Sequence, residues 1–118
     1  MVLATEIPFD QLSTDEQAIW HVFEPIQAWR ARDVRYEFVF DTVNHQFQVI
    51  RTGWRGSQRL YAVLIHVAIR GEFVWVEEDN TELEVANLLV EYGIPKERIV
   101  LGFHPPQQRT LEGFALGE

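Results

Sequence analysis

The chain has 118 residues, no cysteine and a formal net charge of −8, from eighteen acids against ten Lys and Arg. That length suits one domain, and 47% hydrophobic residues suffice for a core without disulfides or metal. The missing cysteine excludes thiol nucleophiles, thiolate-ligated zinc and a disulfide framework, and the acidic balance argues against a stand-alone DNA binder, which needs clustered Lys and Arg.

The charge is unevenly placed. Residues 42–71 contain no acid and carry Arg51, Arg55, Arg59 and Arg70, whereas residues 72–91 hold seven acids and no Lys or Arg. Two solvated faces account for this, as does a charge-complementary surface for a partner or a second copy. No basic segment followed by an apolar run opens the chain, and no apolar run approaches a membrane span. The expected compartment is the cytoplasm, with no membrane contact.

Residues 1–12 read as an N-terminal arm and 13–118 as one α+β domain. Ser13 followed by Glu16 has the capping-box spacing of a helix start. Ile19, Val22, Phe23 and Ile26 then share one helical face. Pro25 removes a backbone donor, so the helix is expected to stop near Phe23 or to kink and run on to Trp29. Residues 35–41 alternate, with Tyr36, Phe38 and Phe40 on one side, which predicts a half-buried strand. Residues 47–52 form its hairpin partner, and 53–57 read as a turn. Residues 59–70 form a long strand with Tyr61, Val63, Ile65, Val67 and Ile69 on one face. Both of its faces are largely apolar, which makes it the central strand. Residues 73–77 complete a four-stranded antiparallel meander.

A second helix follows. Thr81 and Glu84 form another capping-box pattern, and Asp79, Glu82 and Glu84 place negative charge at the positive end of the helix dipole. Val85, Leu88, Leu89 and Tyr92 are its expected buried stripe, Gly93 its stop and Pro95 its block. Residues 99–103 read as a fifth strand, Pro105 and Pro106 as a rigid exit, and 110–116 as an edge strand or ordered tail.

Several groups carry candidate chemistry. Glu77, Glu78, Asp79 and Glu82 have the residue type for a hard cation, but no calcium-loop pattern surrounds them and helix capping explains them equally well. No metal or cofactor is expected. Asp79, Glu82, His66 and His104 would serve a hydrolase or nuclease subunit if they converged. Arg51, Trp54, Arg55 and Arg59 have the aromatic–basic mix of a single-strand contact, and a hairpin explains the same residues. Four tryptophans, Trp20, Trp29, Trp54 and Trp75, are more than a chain this size hides completely, and exposed Trp favours interfaces.

A series of short motifs then stands in one order: Phe40-Asp41-Thr42, Gly53-Trp54, Arg59-Leu60-Tyr61, Ile65-His66, Val74-Trp75-Val76, Asp79-Asn80-Thr81-Glu82, Gly93-Ile94-Pro95-Lys96, Ile99 to Pro106, Arg109 and Gly113-Phe114-Ala115. In this the chain resembles the XisI family, the cyanobacterial fdxN-element excision controlling factors. It departs from the family pattern at Asn80, where Gly is usual, at Pro25 and in the added arm before Ser13. The resemblance implies an α+β fold and a role in programmed DNA excision during heterocyst differentiation, where a separate site-specific recombinase cuts and rejoins the DNA. It also implies pairing with a XisH-like, nuclease-resembling protein, and no catalytic residue carries over from it. The expected activity is therefore non-catalytic control through protein contact, with possible homo-oligomers. Asp79, Glu82, His104 and Arg109 are the expected partner surface.

Overall fold

The computed structural model describes residues 7–117. The alternating segments form β1 (Val34–Asp41), β2 (Gln46–Arg55), β3 (Gln58–Arg70) and β4 (Phe73–Asp79), each antiparallel to the next. β5 (Ile99–Leu101) joins β4 in parallel after the crossover helix α2 (Val85–Glu91). The strand order is β1-β2-β3-β4-β5, so β3 is central as its two apolar faces predict. A parallel neighbour needs such a crossover, which is why the meander ends where the helix begins.

Helix α1 (Thr14–Phe23) starts on the expected capping box. Ser13 Oγ accepts from the Glu16 amide at 3.1 Å and Glu16 Oε1 accepts from the Ser13 amide at 2.9 Å. Pro25 ends the regular helix at Phe23, and the chain tightens into a 3-10 helix, Glu24–Ala28, in which the missing N–H costs nothing. Of the expected arm, residues 1–6 lie outside the described residues. In the remainder Leu12 is buried, and Ile7 and Phe9 pack against the core.

Both helices cover one sheet face. Ile19, Phe23, Phe47, Ile65 and Leu89 are fully buried there, each contributing roughly 1.5–3 kcal/mol relative to exposure. Phe40 packs edge-on to Trp20, Phe23 and Phe47, with ring centroids 5.5, 6.2 and 4.7 Å away. Helix α2 buries Val85 and Leu89 fully and Leu88 in part. Tyr92 differs from the expected stripe: it is 43% exposed and stacks on His21 of α1 at 5.1 Å. Gly93, at φ 109°, ends the helix as expected, and the Ile94 amide closes onto the Leu89 carbonyl at 3.0 Å.

One register shift splits the face expected of β3. Val49 pairs with Ile65 but Ile50 pairs with Val63, so Leu64 is an extra residue. Ile65 and Val67 therefore face the helices, while Val63 and Tyr61 face the open side. The shift leaves carbonyls free, and Asn80 takes them: its amide donates to Leu64 O at 2.7 Å and its side chain to Val63 O at 2.9 Å. That side chain gives Asn80 a structural use at the position where glycine was expected. A second shift near Glu77 changes register between β3 and β4.

The expected turn at 53–57 is narrower. Gly53, Trp54 and Arg55 belong to β2, and the turn is Gly56–Ser57. Gly53 is required where it stands: a Cβ there would lie 2.2 Å from Asp33 O, the carbonyl that accepts the Trp54 amide at 3.0 Å. β5 stops at Leu101, short of the expected Phe103, because His104 N turns back to Leu101 O at 3.0 Å. The tail is ordered, bridging Val100 to Ala115 in parallel.

Candidate partner-binding pocket

The carboxyl ends of β4 and β5 lie side by side, and three segments leave them. Residues 80–84 lead into α2, residues 102–105 lead to the one-turn helix α3 (Pro106–Arg109), and residues 110–114 return to bury Phe114. Between them is a cavity of about 220 Å3. Leu101, Phe103, Phe114 and Ala86 form its apolar walls; Asp79, Glu84, Glu112, His104, Thr81 and Asn87 form its polar ones. No Lys or Arg is in the lining.

The start of α2 differs from the expected capping box. Thr81 lies four residues before the first helical residue, and its hydroxyl accepts from Leu83 N at 3.1 Å while donating to Asp79. Asp79 does the capping instead. Its Oδ1 accepts from Thr81 N at 3.0 Å and from Thr81 Oγ1 at 2.6 Å, and its Oδ2 accepts from Val85 N at 2.8 Å. Loop 80–84 therefore folds around one carboxylate. Glu84, at φ 58°, turns into the helix in the left-handed region, and its Oε1 accepts from Asn87 Nδ2 at 2.6 Å.

Of the expected partner surface, Asp79 and His104 meet at this pocket, and Glu82 and Arg109 are not in its lining. Arg109 pins the tail: Nε donates to His104 O at 3.0 Å and Nη1 to Leu116 O at 3.3 Å, with the guanidinium 5.2 Å from the Trp75 ring centre. His66 is bonded to Gln46 through Nε2 at 2.7 Å and pairs with Gln48 on the open face. The set Asp79, Glu82, His66 and His104 thus does not assemble at one cavity. The acids of the turn disperse as well. Glu77 pairs with Arg70 at 2.6 Å, Glu78 accepts from Asn80 at 3.0 Å, and no three acidic or histidine side chains among the described residues are placed to hold a metal ion.

The aromatic–basic group is also divided. Trp54 and Arg59 are directly opposite each other, whereas Arg51 pairs with Tyr36 and Ala62 on the helical side. Of the pocket residues, Glu84, Phe103 and Phe114 stand in the capping pattern and the ordered motifs without being marked there as a site, and Glu112 stands in none of them. Glu112 reaches the pocket only because the tail folds back, which no local spacing encodes.

A helical layer over a mixed five-stranded sheet, with an acid-lined pocket at the crossover, defines a small α+β protein. The XisI protein family model matches residues 9–116, and the chain belongs to that family. Two solved structures are similar. A XisI-like protein from Anabaena variabilis ATCC 29413 is 26% identical with a TM-score of 0.77, over 85% of this chain and 94% of that one. The fdxN element excision controlling factor XisI from the same organism is 27% identical with a TM-score of 0.76, over 88% of this chain and 96% of that one. No protein of curated function matches this chain. Among the described residues no helix is long and apolar enough to cross a membrane.

Proposed function

We propose that this chain is a non-catalytic controlling factor of DNA excision, acting in the cytoplasm by binding a XisH-like protein. Membership of the XisI family and the name of the similar Anabaena structure support that role. The pocket supports the mode of contact and is the observation that carries it: its charged side chains are carboxylates, with His104 beside them and no Lys or Arg in the lining, although the Lys96 ammonium lies 4.9 Å from the centre of the Phe114 ring. A nuclease-like partner presents basic residues towards DNA. A Lys or Arg from such a surface can bury its stem against Phe103 and Phe114 while its head meets Glu84 and Glu112. Holding that surface would block or direct the partner.

Self-association belongs to the same reading. Among the described residues β1 pairs only with β2, which leaves its other edge open there. Two copies pairing antiparallel about Tyr36 would set Arg35 opposite Glu37 in both directions. The test is co-purification with a XisH-like protein, using the natural chain and a Glu84→Lys/Glu112→Lys variant. Capture by the natural chain and loss with the variant are expected. No capture by either sinks the reading.

A further inference from the structure

The free end of the β2–β3 hairpin carries a feature separate from the pocket. β4 stops pairing at Ile65 and β1 at Gly53, with the Trp54 amide still held by Asp33 O, so Arg55, Gln58 and Arg59 and the Trp54 ring are at the free end of the hairpin. Trp54 and Arg59 are cross-strand partners, and Tyr61 follows Arg59 on the same face. The Arg59 guanidinium lies 5.3 Å from the Trp54 ring centre and 6.0 Å from that of Tyr61. Both rings remain open to solvent, at 50% and 64% exposure. Thr52 is opposite both Tyr61 and Arg35, which brings Arg35 to the same face.

The cations here are not ion-paired; one acid, Asp33, lines the same groove as Arg35, Trp54 and Arg59 and faces Arg32 at 3.9 Å. In a chain of eighteen acids, none of Arg35, Arg55 and Arg59 has an ion pair among the described residues. Arg59 makes one long bond, from Nη1 to Gly53 O at 3.4 Å. Helix packing does not explain the arrangement, since the helices cover the opposite face. An aromatic–guanidinium–aromatic ladder with free cations beside it matches single-strand recognition, where rings stack on bases and cations track phosphates. A duplex hides its base faces and would leave both rings unused.

We propose that this hairpin end binds single-stranded nucleic acid, with Trp54 and Tyr61 as stacking platforms, Arg35 and Arg59 as phosphate contacts on the same face, and Arg55, which alternation sets on the other side of the strand, as a third phosphate contact at the tip. The acidic net charge keeps the rest of the surface from binding and confines the contact to this end.

The experiment is fluorescence anisotropy of the whole chain with a labelled oligothymidylate of about 16 nucleotides and with a duplex of equal length. The single strand should bind more tightly. Three phosphate contacts give a log–log salt slope of about −2, so binding weakens about twentyfold between about 50 and 200 mM salt. Trp54→Ala and Tyr61→Ala should each weaken it about fivefold or more, Tyr61→Phe should not, and Arg59→Gln should lower the slope by about 0.7. Circular dichroism and the urea midpoint verify that each variant is folded, and Trp54→Phe serves should Trp54→Ala unfold. No binding at low salt overturns the proposal. So does equal binding of both forms with no effect of the ring variants. A change of solution mass in Trp54→Ala with flat anisotropy overturns it too, by assigning the ladder to self-association.

Discussion

The Asp79 carboxylate receives the amide hydrogen of Val85, six residues further on, at 2.8 Å. One side chain at the end of β4 thereby fixes where α2 begins and gives the loop between them its shape. Asp79→Ala should cost about 1–2 kcal/mol in urea denaturation, with faster hydrogen exchange at Val85. Asp79→Asn keeps one acceptor oxygen and should fall between. Equal stability of all three proteins would show that loop 80–84 holds itself.

Arg98 joins distant parts of the chain. It forms a two-pronged pair with Asp15 in the first turn of α1, and its Nε donates to Glu72 O at 2.8 Å in the β3–β4 turn. The pair is partly exposed, with side chains 34% and 15% accessible, so its coupling should be about 1 kcal/mol or less and should shrink with salt. A double-mutant cycle of Arg98→Met and Asp15→Ala measures it. A coupling unchanged by salt would contradict an electrostatic origin.

Gly53 should tolerate no side chain. At φ 158°, Ala would press its methyl against the Asp33 carbonyl and, at 2.9 Å, against Val34 Cα. Gly53→Ala should cost about 2–3 kcal/mol and loosen the Trp54 amide. Gly56, with nothing within 4 Å of its would-be Cβ, is the control for backbone strain alone.

Asp41 caps the β1–β2 turn. The Asn44 backbone amide, at 2.9 Å from Oδ1, and then the Asn44 side chain, at 2.8 Å from Oδ2, hold its carboxyl below the usual carboxylate range, helped by Val43 N. A group whose folded value is lowered stabilises the fold above its unfolded value and loses that contribution as pH falls through the folded one. Carbon-detected NMR titration should place the Asp41 midpoint below that of an aspartate in an unstructured peptide. Asp41→Asn should remove the corresponding acid-limb dependence.

Much of the architecture was visible as local chemistry. Ser13 with Glu16, Pro25, Gly93 and the alternation of Tyr36, Phe38 and Phe40 each constrain a few adjacent residues, and each structure formed as those constraints require. The face of β3 was misjudged because alternation assumes an unbroken ladder. Leu64 interrupts it, and one apolar residue in an apolar run gives no sign of being extra. Thr81 with Glu84 has the form of a cap, but the Thr81 hydroxyl accepts from Leu83 N and it is Asp79 that accepts the first helical amide, Val85 N. At the pocket, Asp79 and His104 were legible from their positions at element ends. Glu112 was not, since its place depends on a tail returning over a strand.

The parallel pairing of β5 has a consequence in time. The hairpins of the meander close over a few residues each, whereas β5 reaches β4 only after residues 80–98 have been laid down. Longer closures cost more entropy before contacts repay it, so the unit of α2, β5 and the tail is expected to dock last onto a preformed sheet and to detach first. Three walls of the acidic pocket belong to that late unit. Anything that spans them latches the final step of folding, and amide exchange in Leu88, Leu89 and Val100 would slow while the meander amides kept their pace.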